Sequence, residues 1–169
     1  SVGRALRQHG LRVITCLKGR SERTRALAQK ADIEDVPSLT QLVNQSDIIL
    51  SIVPPAQAVS LAEDIAHILR AEKAKTYYAD CNAISPQTVK RIGEIVTEAG
   101  GRFIDASIIG SPPGRGEPTR FYVSGPHANV MSDLDGKDIK IRIIGDEIGR
   151  ASGIKMCYAA LTKGSQALW

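Results

Sequence analysis

Aromatic residues are scarce in this chain of 169 residues: Phe, Trp and Tyr together make up 4%. Surfaces that bind nucleic acid usually combine a basic stripe with interleaved aromatic platforms. Here 22 Lys and Arg are scattered among 18 Asp and Glu, for a net charge of +4, so nucleic acid is not an expected partner. Cysteine is limited to Cys16, Cys81 and Cys157, with no C-x-x-C pair. That argues against a zinc site or disulfide framework and fits a reducing, cytoplasmic compartment. His9, His67 and His127 are isolated, so neither a metal site nor a Ser-His-Asp arrangement is expected. No apolar run reaches the roughly 18 residues of a membrane-spanning helix. No charged-then-apolar leader opens the chain either, so a membrane is not an expected partner. Ser1-Val2-Gly3 lacks an initiator Met, and Leu168-Trp169 ends an apolar stretch without a turn. Both ends read as cuts through a longer protein.

What is present is an ordinary globular composition, 43% hydrophobic and 24% charged, enough for one domain with a real core. Short β-branched runs alternate with helical segments. Val2 to His9 reads as a helix ended by Gly10, and Leu11 to Leu17 as a strand. Ser21 opens a charged helix through Lys30, and Ser38 with Gln41 is a capping-box signature for a short helix. Asp47 to Val53 is a continuous apolar run of the kind buried on both faces, stopped by Pro54-Pro55. A helix with Val59, Ala62, Ile65, Ala66 and Leu69 on one face follows, then a strand from Thr76 to Asp80. Ser85-Pro86 caps a helix carrying Val89, Ile92, Ile95 and Val96, which Gly100-Gly101 ends. Arg102 to Asp105, Arg120 to Ser124 and Ile139 to Ile144 are further strands, and a last helix begins near Gly149. This alternation predicts an α/β fold: a Rossmann-like, doubly wound, mostly parallel sheet that lacks its first strand. Residues 1–148 form the nucleotide-binding domain in this reading, and residues 149–169 start a helix toward a further domain.

In such a fold a dinucleotide's pyrophosphate sits at the N-terminus of the first helix, reached through a G-x-G-x-x-G turn. Only the last glycine has a counterpart here, Gly3, and a lone early glycine is more often simple helix packing. The second strand normally ends in an acidic residue that holds the adenosine ribose. Leu17-Lys18-Gly19-Arg20-Ser21 has none at that point; Lys18, Arg20, Arg23 and the Ser21 hydroxyl suit a 2′-phosphate instead, or form a solvated basic loop.

Five stretches resemble one family. Gly19-Arg20-Ser21 stands where NADP-preferring members often have Asn-Arg-Thr, and Ser51-Ile52-Val53-Pro54-Pro55 is similar to a strand-to-proline turn along the cofactor. Asp80-Cys81-Asn82-Ala83-Ile84-Ser85-Pro86 is similar to a D-x-S-T-x-S-P loop near the nicotinamide. Asp105-Ala106-Ser107-Ile108-Ile109-Gly110-Ser111 resembles D-A-P-V-S-G-G, and Gly149 with Lys155 resembles the G-x-x-x-x-x-K opening of an interdomain helix. Together they make the whole chain resemble the NADP-binding domain of beta-hydroxyacid dehydrogenases, the superfamily of 6-phosphogluconate dehydrogenase. The resemblance implies NADP as cofactor, with NAD possible, held by Gly3, Arg20, Ser21, Val53, Pro54 and Asn82. It implies Lys155 as the catalytic general acid/base, and a small acidic substrate near Gly110 and Ser111. It further implies a homodimer built through a C-terminal helical domain.

Two positions depart from the pattern. The family's substrate-binding Ser falls on Ile109, and an asparagine four residues after the lysine falls on Ala159. Lys155 to Gly164 instead resembles a branch with K-M-x-Y-A-A-x-T-K-G. Lys163 lies two turns beyond Lys155 on the same helical face, where an acidic substrate or a structural role would suit it. Gly110-Ser111-Pro112-Pro113-Gly114-Arg115-Gly116 is not a P-loop, but its glycines allow close approach, and Ser111 or Arg115 could meet a carboxylate or phosphate. The departures motivate a second reading, a non-catalytic NADP(H)-binding module; a third, an imine reductase of the same superfamily, is less favoured because those enzymes tend to lack the lysine.

Overall fold

A computed structural model describes residues 1–114 and 116–167. The N-terminal part is α1 (Val2–Gln8), β1 (Ile14–Thr15), α2 (Glu22–Lys30), β2 (Glu34–Asp35) and α3 (Leu39–Gln45). Side-chain caps set where these helices begin, as the sequence predicts. Ser21 Oγ accepts from Thr24 N at 3.3 Å and Ser38 Oγ from Gln41 N at 3.2 Å. The strand expected over Leu11 to Leu17 is shorter in its ladder. Only Ile14 and Thr15 pair, in parallel with Glu34 and Asp35, because the partner strand is itself two residues long.

The main sheet has five strands in the order β3 (Ile48–Ser51), β4 (Tyr77–Asp80), β5 (Arg102–Ile109), β6 (Thr119–Ser124) and β7 (Ile139–Ile143). β3, β4 and β5 are parallel, joined through α4 (Ala58–Glu72) and α5 (Pro86–Glu98). β6 runs antiparallel to β5, and β7 parallel to β6. The strand predicted to stop at Asp105 continues to Ile109, because Asp105–Ile109 pair with Arg120–Ser124. Two short 3-10 stretches, Pro55–Gln57 and Ala128–Leu134, were not evident in the periodicity. The chain closes on α6 (Arg150–Ala167), which starts next to Gly149 as expected.

Helices cover both faces, as a mostly parallel sheet requires. On one face, Ile65 and Leu69 of α4 and Val89, Ile92 and Val96 of α5 bury against Tyr78 and Phe103. On the other, Leu6 of α1 joins Ala79, Ile104, Ala106, Phe121, Val123 and Met131. Alternation along β5 divides its side chains between these layers: Phe103 faces α4 and α5, while Ile104 and Ala106 face α1. Asp105 follows Phe103 on the side of α4 and α5, where α6 also lies. No helix among the described residues is long and apolar enough to cross a membrane.

Candidate functional site

Ligands of open α/β sheets bind beyond the carboxyl ends of the parallel strands. Here that edge is made by the turns after Ser51, Asp80 and Ile109. Asn82 ties the first two turns together. Its Oδ1 accepts from Val53 N at 2.8 Å, and its Nδ2 donates to Ser51 Oγ at 3.0 Å and Asp80 Oδ2 at 3.1 Å. Its own N–H donates to Asp80 Oδ1 at 2.9 Å. Val53 and Pro54 are therefore held in place by a residue from the neighbouring strand, and Ile52 between Ser51 and Val53 stands half exposed. Asn82 is buried with its amide engaged by protein, so it shapes the turn at Val53 and Pro54 from within. Burial pushes the Asp80 carboxyl up, against the hydrogen bonds from Asn82 that pull it down; neighbouring Asp105 adds to the rise.

Lys155 lies on α6, the helix that rises along β5 toward this edge. Its Nζ donates to the carbonyl of Ile108, one residue short of the strand's end. Partial burial lowers its pKa below the ordinary lysine value, and Lys163 on the same helix lowers it further. A half-buried amine at the carboxyl edge of a parallel sheet, with a depressed pKa, is suited to accept or return a proton there. Lys163 itself is exposed.

The remaining sequence-predicted residues fall in three places. Gly3 sits in the first turn of α1 against Ile33 and Val13. A Cβ there would come to 2.7 Å from Ile33 Cδ1 and 3.6 Å from Val13 Cγ1, so this glycine permits close helix packing. Arg20 and Ser21 lie between β1 and α2, beside the two-stranded sheet, whereas Lys155 meets β5 of the five-stranded one. Arg20 is exposed, while the Ser21 hydroxyl is occupied as the α2 cap. Asp35 reaches into the same turn, accepting from Leu17 N at 2.8 Å and pairing with Arg25 at 3.5 Å. Gly110 and Ser111 follow β5 directly. Gly110 takes φ +109°, a backbone shape that favours glycine, and Ser111 is exposed with its carbonyl bonded by Thr119 Oγ1 at 2.6 Å. Arg115 lies outside the described residues. Ile109 is buried and Ala159 half-buried.

Sequence reasoning passed over the residues that carry α6. Asp105 was visible only as the opening letter of a motif, and Ser124 and Ser152 not at all. Asp105 Oδ2 accepts from Gly149 N at 2.8 Å, Ser124 Oγ at 3.0 Å and Ser152 N at 3.2 Å, and Oδ1 from Ser152 Oγ at 2.7 Å. The available signal was an aspartate inside the otherwise apolar run Phe103 to Ile109, two residues from the next polar position. Ser107 is such a position: it is fully buried and its hydroxyl has no partner among the described residues. No cluster of His, Cys, Asp or Glu suited to a metal occurs among the described residues.

The family of the NAD binding domain of 6-phosphogluconate dehydrogenase matches residues 1–133. An uncharacterized 28.5 kDa protein of Methanothermus fervidus is 33% identical over 156 residues, covering 92% of this chain and 58% of the relative. A conserved protein of unknown function, whose structure is similar to 3-hydroxyacid dehydrogenases, superposes with TM-score 0.84 at 32% identity, over 99% of this chain and 61% of that one. An imine reductase from Myxococcus stipitatus in complex with NADP+ shares the fold at TM-score 0.80 and 16% identity, over 98% and 57% of the two chains. The chain thus spans less than two thirds of the length of each of these proteins. With the mostly parallel sheet and the family match over most of its length, this chain belongs to the family of the NAD binding domain of 6-phosphogluconate dehydrogenase, a nicotinamide-nucleotide-binding fold.

Proposed function

We propose that the protein to which this chain belongs is an NADP-dependent oxidoreductase acting on a small hydroxy acid or a related acidic substrate, with Lys155 as general acid/base. The observation that carries the proposal is the placement of Lys155: a half-buried amine with a lowered pKa, tethered to Ile108 at the carboxyl edge of β5. The bound nicotinamide would supply the hydride acceptor or donor. In oxidation the neutral Lys155 amine takes the hydroxyl proton; in reduction the ammonium returns one to the carbonyl oxygen. Only one of its N–H groups is needed for Ile108, which leaves others for a substrate oxygen. Gly110 and Ser111, directly after β5, offer backbone and hydroxyl groups for the acid group.

The cofactor end is read from three features. Gly3 allows the close helix packing that the last fingerprint glycine provides in dinucleotide-binding turns. Val53 and Pro54, braced by Asn82, form a wall beside the exposed Ile52. Arg20, with Lys18 and Arg23, is exposed at the β1–α2 turn while Asp35 is engaged by Leu17 N and Arg25, an arrangement that favours a 2′-phosphate over a bare ribose. We place residues 1–148 in this domain and read residues 149–169 as the start of a helix toward a C-terminal helical domain and a homodimer. Three free cysteines fit a reducing compartment.

The test is Lys155→Ala in the whole protein, with NADPH binding followed by fluorescence and turnover assayed on 3-hydroxypropionate, 3-hydroxybutyrate, glycerate and 6-phosphogluconate. NADPH affinity is expected to hold while kcat falls by on the order of 10²–10⁴-fold. Unchanged turnover removes Lys155 from the reaction. A second reading, a non-catalytic NADP(H) module, is favoured by Ile109, a buried apolar side chain where the family pattern has a serine. NADPH binding without oxidation of any hydroxy acid on the panel, or reduction of any cyclic imine, would establish it; imine reduction would instead select the third reading.

A further inference from the structure

The N-terminus of α6 is held in a way that none of the other helices shares. The first four N–H groups of a helix have no partner within it, and a nearby Ser, Thr, Asp or Asn usually satisfies one of them. In α2, α3 and α5 that residue is the local serine just before the helix. In α6 the donors are met mostly from the sheet. Gly149 N and Ser152 N donate to Asp105 Oδ2 at 2.8 and 3.2 Å, and Ala151 N donates to Ser124 Oγ at 3.1 Å. Arg150 N alone turns to the local Glu147 carbonyl, at 3.4 Å. Ser124 Oγ in turn donates to Asp105 Oδ2, and Ser152 Oγ to Asp105 Oδ1. All three side chains are buried. Gly149 takes φ +106°, which lets its amide join this arrangement.

A local cap would fix where a helix starts. A cap supplied by two strands also fixes where the helix stands against the sheet. Asp105 and Ser124 are direct cross-strand partners, so one pair of registered residues sets both the height and the rotation of α6. Lys155 follows Ser152 by three residues, one helical turn on the same face. It meets β5 again at Ile108, three residues above Asp105. The helix is thus pinned to β5 at two levels, and the upper pin is the amine itself.

We propose that Asp105, with Ser124 and Ser152, is a positioning device for Lys155: it sets how deep the amine sits at the edge of the sheet, and so its reactivity. The proposal rests on the reading of Lys155 as the proton-transfer group. These residues touch neither cofactor nor substrate; they act through α6. Loosening the pin lets the helix start shift and water reach Nζ, which moves the amine back toward ordinary lysine behaviour. Of the other charged groups on the packed elements, Glu94 and Glu98 of α5 are exposed, Arg91 of α5 lies 3.7 Å from Glu63, and Arg102 of β5 donates to Tyr77 Oη at 2.9 Å. Arg120 on β6 pairs with Glu117, Lys90 on α5 lies 3.6 Å from Glu147, and Asp105 is taken up by its own donors. Lys163, on α6 itself, remains as a second influence on Lys155.

The experiment uses the whole protein carrying Ser124→Ala, Ser152→Ala, Ser152→Thr or Asp105→Asn. Competitive labelling with acetic anhydride across pH, read by mass spectrometry, gives the titration of Lys155 without any substrate. In Ser124→Ala and Ser152→Ala the titration is expected to move to higher pH, and Ser152→Thr, which keeps the hydroxyl, to bring it back. On the best substrate of the panel kcat should fall by on the order of 10- to 100-fold, with NADPH affinity and substrate KM within about twofold. Asp105→Asn should be the most severe; if it does not fold, the two serine variants decide. An unmoved Lys155 titration and an unmoved kcat in folded Ser124→Ala and Ser152→Ala overturn the inference. A fully active Lys155→Ala variant would instead remove the proton-transfer role, while the labelling titration would still report whether Asp105 places the amine.

Discussion

The two ends of the candidate site are built from different materials. The β1–α2 turn that carries Arg20 belongs to a region whose ladder is two residues long. Its tertiary ties include exposed ion pairs: Arg7 with Asp32, Arg12 with Glu34, Arg25 with Asp35. The Lys155 end stands on five paired strands, two apolar layers and a buried carboxylate that meets four donors. The chemistry proposed at each end explains the difference. Holding a phosphate asks for charge within reach, and solvated side chains can adjust to it. Moving a proton asks for an atom held within a fraction of an ångström, which only a packed support provides.

That comparison can be broken most directly in the core. Phe103 is 1% exposed and lies stacked beside Tyr78, with ring centroids 6.2 Å apart. Phe103→Ala is expected to cost about 3–5 kcal/mol in urea unfolding, through lost burial and the cavity it leaves. Leu27 in α2 is 58% exposed, and Leu27→Ala should stay within about 0.5 kcal/mol. Equal costs would mean that the two regions are not built differently. Next in size is Ser124→Ala, which strands the Ala151 N–H and one lone pair of Asp105 in a dry site. A loss of about 1–3 kcal/mol is expected, measured the same way. At the other end, Arg20→Ala should weaken NADPH binding about tenfold while leaving NADH nearly unchanged, as the loss of one charge-assisted hydrogen bond implies. A parallel loss for both cofactors would show that Arg20 does not read the 2′-phosphate.

Much of the scaffold was legible because it is written locally. Ser21, Ser38 and Ser85 cap the helices that follow them, and the Val59–Leu69 and Val89–Val96 stripes face the core as their spacing predicts. What escaped was whatever depends on a distant partner. Glu34 and Asp35 have no strand-forming character of their own and form β2 only because β1 lies beside them. Ala106–Ile109 continue β5 only because β6 returns alongside. The candidate site divides in the same way. Lys155, Gly110 and the Val53-Pro54 turn were proposed from the resemblance of their motifs to a known family. The hold on Lys155 could not be found in this way, since its parts are separated by 19 and 47 residues and meet only through strand register. Asn82 was legible as a position, but not as a brace whose amide is spent within the protein.

The smallest effect is expected where the geometry looks most favourable. Arg12 donates to both oxygens of Glu34, at 2.9 and 2.7 Å, and to Gln45 Oε1 at 2.9 Å. The hydrogen bond from Arg12 holds the Glu34 carboxyl below its ordinary range. Because that pKa is lowered on folding, any stability from the pair is present above the ordinary carboxylate pKa and is lost as pH falls through the lowered one. Both side chains stand in water, though, so ordering them offsets most of the attraction. Arg12→Ala should therefore leave the urea midpoint at pH 7 within error in 1 M salt, where charges are screened beyond about 3 Å. A small deficit at low salt should vanish on acidification. A salt-insensitive loss as large as that of Ser124→Ala would place a rigid anchor in the N-terminal region, and Arg20 would then stand on a support as firm as that of Lys155.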